Sequence, residues 1–286
     1  MTDKTCLITG ASRGLGEFIT HRFWNAGFNL CLVARTKTDL EKTVRALPNR
    51  KGQLAICLVC DLSNPESVME LVIKVRAALP RLDVLVNNAA IHGPIGSLWD
   101  NDLSMWHQAI QVDLIAPVTL CRAFVPWMEK IGDGGSIINL SGGGATGPRA
   151  NFSAYATAKA GLVRFSETLA EETKSLGIRV NCIAPGAMKT AMLGEVLEKG
   201  IGPAGEREFN IASKIFSDGG ASMDRVADLA LFLASNASKN ITGKLISAVW
   251  DDWEHWLEHM DELSKSDVYT LRRIVGRDRG FTWGDK

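Results

Sequence analysis

The sequence carries no excess charge of either sign. Its 32 basic residues are matched by 32 acidic ones, for a formal net charge of zero. A chain with no global field has no general pull toward nucleic acid or an anionic membrane surface. No apolar run reaches the length needed to span a bilayer, and "MTDKTCLITGAS" enters a strand at once, leaving no room for a signal peptide. A cytoplasmic protein with no membrane or nucleic-acid partner is therefore expected. Internal repeats, low-complexity tracts and interdomain linkers are also missing, so one domain is the simplest reading of 286 residues.

Cysteine is sparse. Cys6, Cys31, Cys57, Cys60, Cys121 and Cys182 mostly sit inside apolar runs, as small core residues do. Cys57 and Cys60 make a C-x-x-C, but "QLAICLVCDL" reads as a buried strand, where residues three apart point to opposite faces. No second cysteine pair exists to complete a metal site, and no metal is expected.

What is present is a rhythm. Apolar, β-branched runs ("TCLITG", "NLCLVA", "LAICLVC", "LDVLVNN", "SIINLS", "IRVNCIA", "KLISAV") alternate with amphipathic segments up to about Val249. One such segment starts at Ser63 or Asn64 as cap with Pro65 at the first helical position. Strands apolar along their whole length, separated by helices, predict an α/β fold: a Rossmann-type, doubly wound parallel sheet covered on both faces. Two parts break the rhythm. Residues 188–220 contain Gly200, Gly202, Pro203 and Gly205 and read as a helical flap; residues 250–286 form a tryptophan-rich tail.

The first strand runs into "TGASRGLGEFI", with Gly10, Gly14 and Gly16 as G-x-x-x-G-x-G. Glycines let the backbone approach a pyrophosphate, and the following helix N-terminus supplies N–H donors and positive partial charge. The second strand ends "NLCLVARTKTDL", with Ala34 and Arg35 where many NAD sites place a carboxylate for the ribose. Arg13 lies in the glycine loop. Two guanidiniums converging there suit a 2′-phosphate, which arginine binds through charge-assisted bonds. NADP(H) is expected over NAD(H).

With these residues in hand, the chain resembles the classical short-chain dehydrogenase/reductase family from roughly residue 4 to 249. The resemblance rests on "TGASRGLG", on Asp61-Leu62, on "NNAA" at Asn87 to Ala90, on Tyr155-x-x-x-Lys159, and on Pro185-Gly186 with Thr190. It implies that Gly10, Ser12, Arg13, Gly14, Leu15 and Gly16 cradle the cofactor phosphates. Asp61 and Leu62 would face the adenine, Asn88, Ala89 and Ala90 would line the cofactor, and Pro185, Gly186 and Thr190 would meet its nicotinamide end. Tyr155 would exchange a proton with the substrate oxygen, and Lys159 would lower its pKa and hold the nicotinamide ribose. It further implies a small carbonyl or alcohol substrate and a homodimer or homotetramer.

Two departures stand out. The family's usual serine lies thirteen residues before the tyrosine, where this chain has Gly142; Ser141 sits one place earlier. The family's usual helix asparagine, part of a proton path to the lysine, is Asp113 here. Three readings stay open. Ser141 swings into the role, helped by the glycines that follow it; a glycine amide polarises the carbonyl; or the serine function is lost. In the first, a serine restored at 142 is expected to recover the usual spacing. Ser153 is a more remote substitute.

"HWLEH" from His255 to His259 matches a zinc-peptidase pattern but sits in an acidic, solvated-looking segment with little chain left for a third ligand. Trp250, Trp253 and Trp256, three apart, are expected to crowd one side of a helix and pack on the domain or a neighbouring subunit. The expected activity is NADP(H)-dependent reduction of a carbonyl or oxidation of a secondary alcohol. The alternatives are a weak or non-catalytic NADP-binding module and an epimerase working through a transient ketone.

Overall fold

The computed structural model describes residues 4–283. Its strands and helices follow one another as β1 (Thr5–Thr9), α1 (Gly14–Asn25), β2 (Asn29–Ala34), α2 (Lys37–Ala46), β3 (Ala55–Val59), α3 (Pro65–Ala78) and β4 (Val84–Asn87). The second half runs α4 (Leu103–Ile110), α5 (Ala116–Ile131), β5 (Gly135–Leu140), α6 (Ser153–Thr173) and β6 (Ile178–Ala184). It closes with α7 (Ala191–Lys199), α8 (Ile201–Ala204), α9 (Glu206–Asp218), α10 (Met223–Ala234), β7 (Leu245–Ser247) and α11 (Met260–Lys265). All seven strands are parallel, in the order β3-β2-β1-β4-β5-β6-β7. This is the expected doubly wound Rossmann-type sheet, with its order reversing between β1 and β4.

Apolar side chains leave both faces of the sheet, and each face has its own core. Ile8, Leu30 and Leu32 pack with Ile19 and Phe23 of α1 and Val226 and Leu229 of α10. Leu7, Cys31 and Leu85 pack with Val68 and Val72 of α3, Leu120 and Phe124 of α5, and Leu169 of α6. β3 is less buried than the sequence suggests, because it is the edge strand; Cys57 is half-buried there and Cys60 lies past the strand end. Among the candidate caps, Asn64 rather than Ser63 starts α3, its side chain accepting from Glu66 N and Ser67 N behind Pro65.

Residues Leu103–Ile131 form one continuous helix, long and apolar enough by composition to cross a membrane, which the sequence reading did not anticipate. It buries Leu120, Cys121, Phe124 and Met128 against the sheet, as a core helix does. A π turn at Gln111–Ile115 joins α4 to α5 and carries Asp113. π turns widen a helix by one residue and re-aim the side chains around it. Opposite, Gly161 of α6 lets the turn come close; a Cβ there would stand 3.0 Å from Leu114.

A chain of buried hydrogen bonds locks α6 to the sheet. Asn87 Nδ2 donates to Asn139 Oδ1 (2.8 Å), Asn139 Nδ2 to Ser166 Oγ (2.7 Å), and Ser166 Oγ to the Leu162 carbonyl (2.7 Å). Buried polar groups linked in this way fix one relative placement of strand and helix.

The tail departs from the expected tryptophan stripe. Trp253 and Trp256 are buried in the α1/α10 core on a 3₁₀ turn, Trp253–His259, whereas Trp250 precedes that turn and is exposed. Beyond α11 the chain returns along β7: Leu245 N donates to Tyr269 O, and Lys244 Nζ to the carbonyls of Ser266 and Val268. The last strand's open edge is thus covered by the chain itself, which removes a template for edge-to-edge pairing.

Candidate active site

The switch point between β1 and β4 carries a loop with no room for side chains. A Cβ on Gly16 would collide with the Gly10 carbonyl oxygen, and one on Gly10 would sit 2.9 Å from Ala89 Cα; Gly10 and Gly14 also hold φ of +65° and +53°. β4 supports this loop. Asn88 Nδ2 donates to Thr9 O (2.9 Å) and Gly10 O (3.2 Å), while Thr9 Oγ1 accepts from Asn88 N and Ala89 N. The Asn88 side chain therefore holds the glycine turn in shape. A glycine turn at a helix N-terminus, stripped of side chains, fits a dinucleotide pyrophosphate.

The other expected contacts surround the same end of the sheet. Arg13 and Arg35 are exposed, and among the described residues neither has an ion-pair partner. Asp61 is exposed beyond β3, its Oδ1 accepting from Ser63 N and Oγ; Leu62 is buried and Ser12 half-buried. Pro185 is buried, and Gly186 turns with φ +77° against Val249. Thr190 caps α7 through Leu193 N, and its methyl group would lie 3.8 Å from a Cβ on Gly14, so the flap begins beside the glycine loop. Ala90 packs with Tyr155 in an apolar cluster.

Tyr155 and Lys159 lie one turn apart on α6, both buried. Lys159 Nζ donates to the Leu140 carbonyl (2.9 Å) and stands 3.4 Å from Asp113 Oδ2. The other Asp113 oxygen accepts from Ile91 N (2.9 Å). Burial pushes the Asp113 carboxyl above its ordinary range, against the pull of Lys159, the Ile91 N–H and His92.

The lysine acts on the tyrosine in the expected direction but is outweighed. Burial raises its hydroxyl pKa; Lys159 opposes this, Asp113 reinforces it, and Arg149 opposes it. The net direction is up. A lysine shared with a buried carboxylate does not outweigh the desolvation of the phenol, so Tyr155 is a protonated donor near neutrality.

The serine question also sharpens. A Cβ on Gly142 would collide with Tyr155 Oη. The ring cannot easily yield, since His92 and Phe152 pack around it. A serine at 142 would thus displace the tyrosine, contrary to the expectation that it recovers the family spacing. Ser141 N donates to Ile183 O (2.8 Å), which keeps that residue in line with the sheet, and its hydroxyl is buried with no partner among the described residues. Of the three glycines only Gly144, at φ +95°, uses glycine's freedom.

Four residues here were not anticipated from the sequence: His92, Arg149, Glu195 and Glu208. The His92 ring meets Tyr155 edge-on at 5.2 Å, and its Nδ1 lies 3.2 Å from Glu195 of α7. Arg149 stacks on Phe152 at 3.8 Å, and its Nε donates to Glu208 of α9 (2.8 Å). "NNAAIH" and "GPRANF" placed these residues near the motifs, but nothing local marked the two acids as their partners. Apolar side chains of the flap, Val196, Ala204 and Ala212, close over Tyr155 and Phe152.

The chain belongs to the short-chain dehydrogenase/reductase family and is an NAD(P)-dependent oxidoreductase: the profile described as short chain dehydrogenase matches residues 4–200. A short-chain dehydrogenase/reductase of Aspergillus oryzae, astE, is 32% identical over 248 residues, spanning 85% of this chain and 92% of its own. A provisionally assigned short-chain alcohol dehydrogenase from Sinorhizobium meliloti superposes with a TM-score of 0.72 at 29% identity, over 87% of this chain and 95% of that one. A provisionally assigned NAD(P)-dependent gluconate 5-dehydrogenase from Beutenbergia cavernae, solved with NADP at low occupancy, gives 0.74 at 27% identity, over 87% and 96%.

Asp113 supplies a test of the tyrosine. The chain has two tyrosines, so in a Tyr269→Phe background the phenolate absorbance reports Tyr155 alone. Its titration midpoint should lie above the ordinary value of about 10. Asp113→Asn removes a negative charge and leaves Lys159 and Arg149 in place, so the midpoint should fall. An unchanged or higher midpoint in the asparagine variant contradicts this electrostatic reading.

Proposed function

We propose that this chain is an NADP(H)-dependent carbonyl reductase or secondary alcohol dehydrogenase. The observation that carries the reading is the buried Tyr155–Lys159 pair, with Lys159 fixed between the Leu140 carbonyl and Asp113 at the end of the sheet where the glycine loop opens. The phosphates would be held by Gly10, Ser12, Gly14, Leu15 and Gly16, with Arg13 and Arg35 on the 2′-phosphate. Asp61 and Leu62 would face the adenine, Asn88 to Ala90 would shape the cofactor wall, and Pro185, Gly186 and Thr190 would flank the nicotinamide. When bound, the reduced nicotinamide supplies hydride to a carbonyl carbon. Tyr155 passes its hydroxyl proton to the carbonyl oxygen, and Lys159 holds the ribose and the resulting phenolate.

For the second donor to that oxygen we take Ser141. Its hydroxyl is buried with no partner among the described residues, and an unsatisfied buried donor costs about 1–3 kcal/mol unless something meets it. It follows Asn139 by two residues, which favours the sheet face on which α6 lies. Residues 1–249 then form the catalytic unit, 188–220 its substrate flap, and 250–286 an extension on that unit. A cytoplasmic homodimer or homotetramer fits the family, and six free cysteines fit a reducing compartment.

The cofactor assignment rests on two exposed arginines, Arg13 and Arg35, and on the absence of an acid at Ala34 and Arg35. Arg35→Asp should weaken NADPH binding by about 1.5–3 kcal/mol, the range for a charge-assisted bond, while sparing NADH. Equal wild-type affinity for both cofactors, measured by fluorescence titration, would remove it.

Ser141→Ala should lower turnover by about 10²–10³, as loss of a donor to a developing oxyanion does. Gly142→Ser should also impair turnover, by crowding Tyr155. A silent Ser141→Ala, read with a ketone the wild type reduces well, would pass the role to a backbone amide of the glycine run.

A further inference from the structure

Arg149 stands beside the candidate proton donor. It lies in the loop between β5 and α6, and its side chain is 13% exposed. The guanidinium carbon lies 3.8 Å from the centre of the Phe152 ring and 5.6 Å from that of Tyr155. Its Nη1 would be 3.8 Å from a Cβ on Gly143, the neighbour of the residue that abuts the tyrosine hydroxyl. The cation and the proton donor thus both flank the glycine run.

The hydrogen-bonding of this arginine is incomplete. Glu208 takes Nε, and among the described residues no acceptor meets Nη1 or Nη2. A guanidinium has five donors in a fixed fork, and here the Nη pair is not among the enclosed atoms without a partner, so it faces solvent and is open to a ligand. Stacking on Phe152 and the bond from Nε hold the plane still, so the remaining edge keeps one direction. A fixed planar fork with a free edge matches a carboxylate, which it binds through two parallel bonds.

The surroundings complete the site. Ile95, Phe152, Val196, Ala204 and Ala212 form an apolar wall around Tyr155, with Met192 and Phe209 packed behind them. Such a wall excludes water and strengthens an ionic contact within it. The charged groups facing this space from the flap are Glu208, already committed to Nε, and Glu195, which is engaged with His92 and half-exposed. Neither covers the free edge of Arg149.

We propose that Arg149 is the anion anchor of the substrate site, so that the preferred substrates are oxo acids: carbonyl compounds with a carboxylate on a short arm and an apolar body. This rests on the carbonyl-reductase reading for its chemistry but not for its geometry. Arg149 would grip the carboxylate while Tyr155 faces the carbonyl oxygen, and Glu208 would keep the fork aligned. The rival is a purely structural latch in which Arg149 and Glu208 only tie α9 to the sheet.

The test is calorimetry on the enzyme–NADP⁺ complex, which cannot reduce a ketone and so reports binding alone. The probes are acetoacetate and levulinate, each against its methyl ester. At least one acid should bind about 10–100-fold tighter than its ester, the range expected of charge-assisted bonds. Arg149→Met should abolish that preference without changing NADP⁺ affinity, and Glu208→Gln should keep it. If both acids bind no tighter than their esters, or the preference survives in Arg149→Met, the anchor is wrong. If Glu208→Gln loses acid binding as Arg149→Met does, the latch is the better account. Failure of the wild type to oxidise NADPH with any of these ketones would instead remove the reductase reading, leaving the binding preference readable by itself.

Discussion

A lysine ammonium buried inside a protein has to be surrounded, and much of this site follows from how Lys159 is surrounded. Removing an ion from water costs several kcal/mol even after relaxation, so a buried cation persists only with well-placed partners. Here the two partners come from two other elements: the Leu140 carbonyl at the end of β5 and the Asp113 carboxyl in the π turn. The Asn87–Asn139–Ser166 chain fixes α6 on the sheet, and Gly161 lets the π turn approach.

The same arrangement sets the proton chemistry. With an asparagine in place of Asp113, only burial would oppose the ammonium's effect on the phenol. A carboxylate there shares the lysine's charge, and burial keeps Tyr155 protonated. A phenol raised in this way keeps its proton near neutrality, so it is in the form that can donate to a carbonyl oxygen. The flap adds to this by packing apolar side chains around the ring, so the low-dielectric setting that raises the tyrosine is built partly from α7 and α9.

The fold was legible because it depends on patterns that persist along the chain. Apolar strands alternating with amphipathic helices imply a doubly wound sheet whichever residues fill them, and the glycine loop, the tyrosine–lysine pair and the arginine after β2 announce themselves by spacing. The details that failed depend on contacts between distant segments. That Gly142 lies against Tyr155 Oη, that Trp250 points outward while Trp253 and Trp256 are buried, and that Glu195 and Glu208 meet His92 and Arg149 are all set by packing. The net direction of the tyrosine's pKa was hidden for a related reason. The lysine one turn away and Asp113 were both visible, but the burial that outweighs the lysine was not.

The central claim is that Tyr155 is the proton donor for hydride transfer from NADPH to a carbonyl. Its most direct test is the rate of NADPH oxidation at saturating ketone in Tyr155→Phe, alongside the variant's NADPH affinity. The phenylalanine keeps the ring packed against His92 and Phe152 and removes only the hydroxyl. The account predicts unchanged cofactor binding and a turnover lower by about 10²–10⁴, the usual worth of a positioned acid. A variant that binds NADPH normally and keeps more than about a tenth of wild-type turnover, well short of that loss, would show that another group supplies the proton.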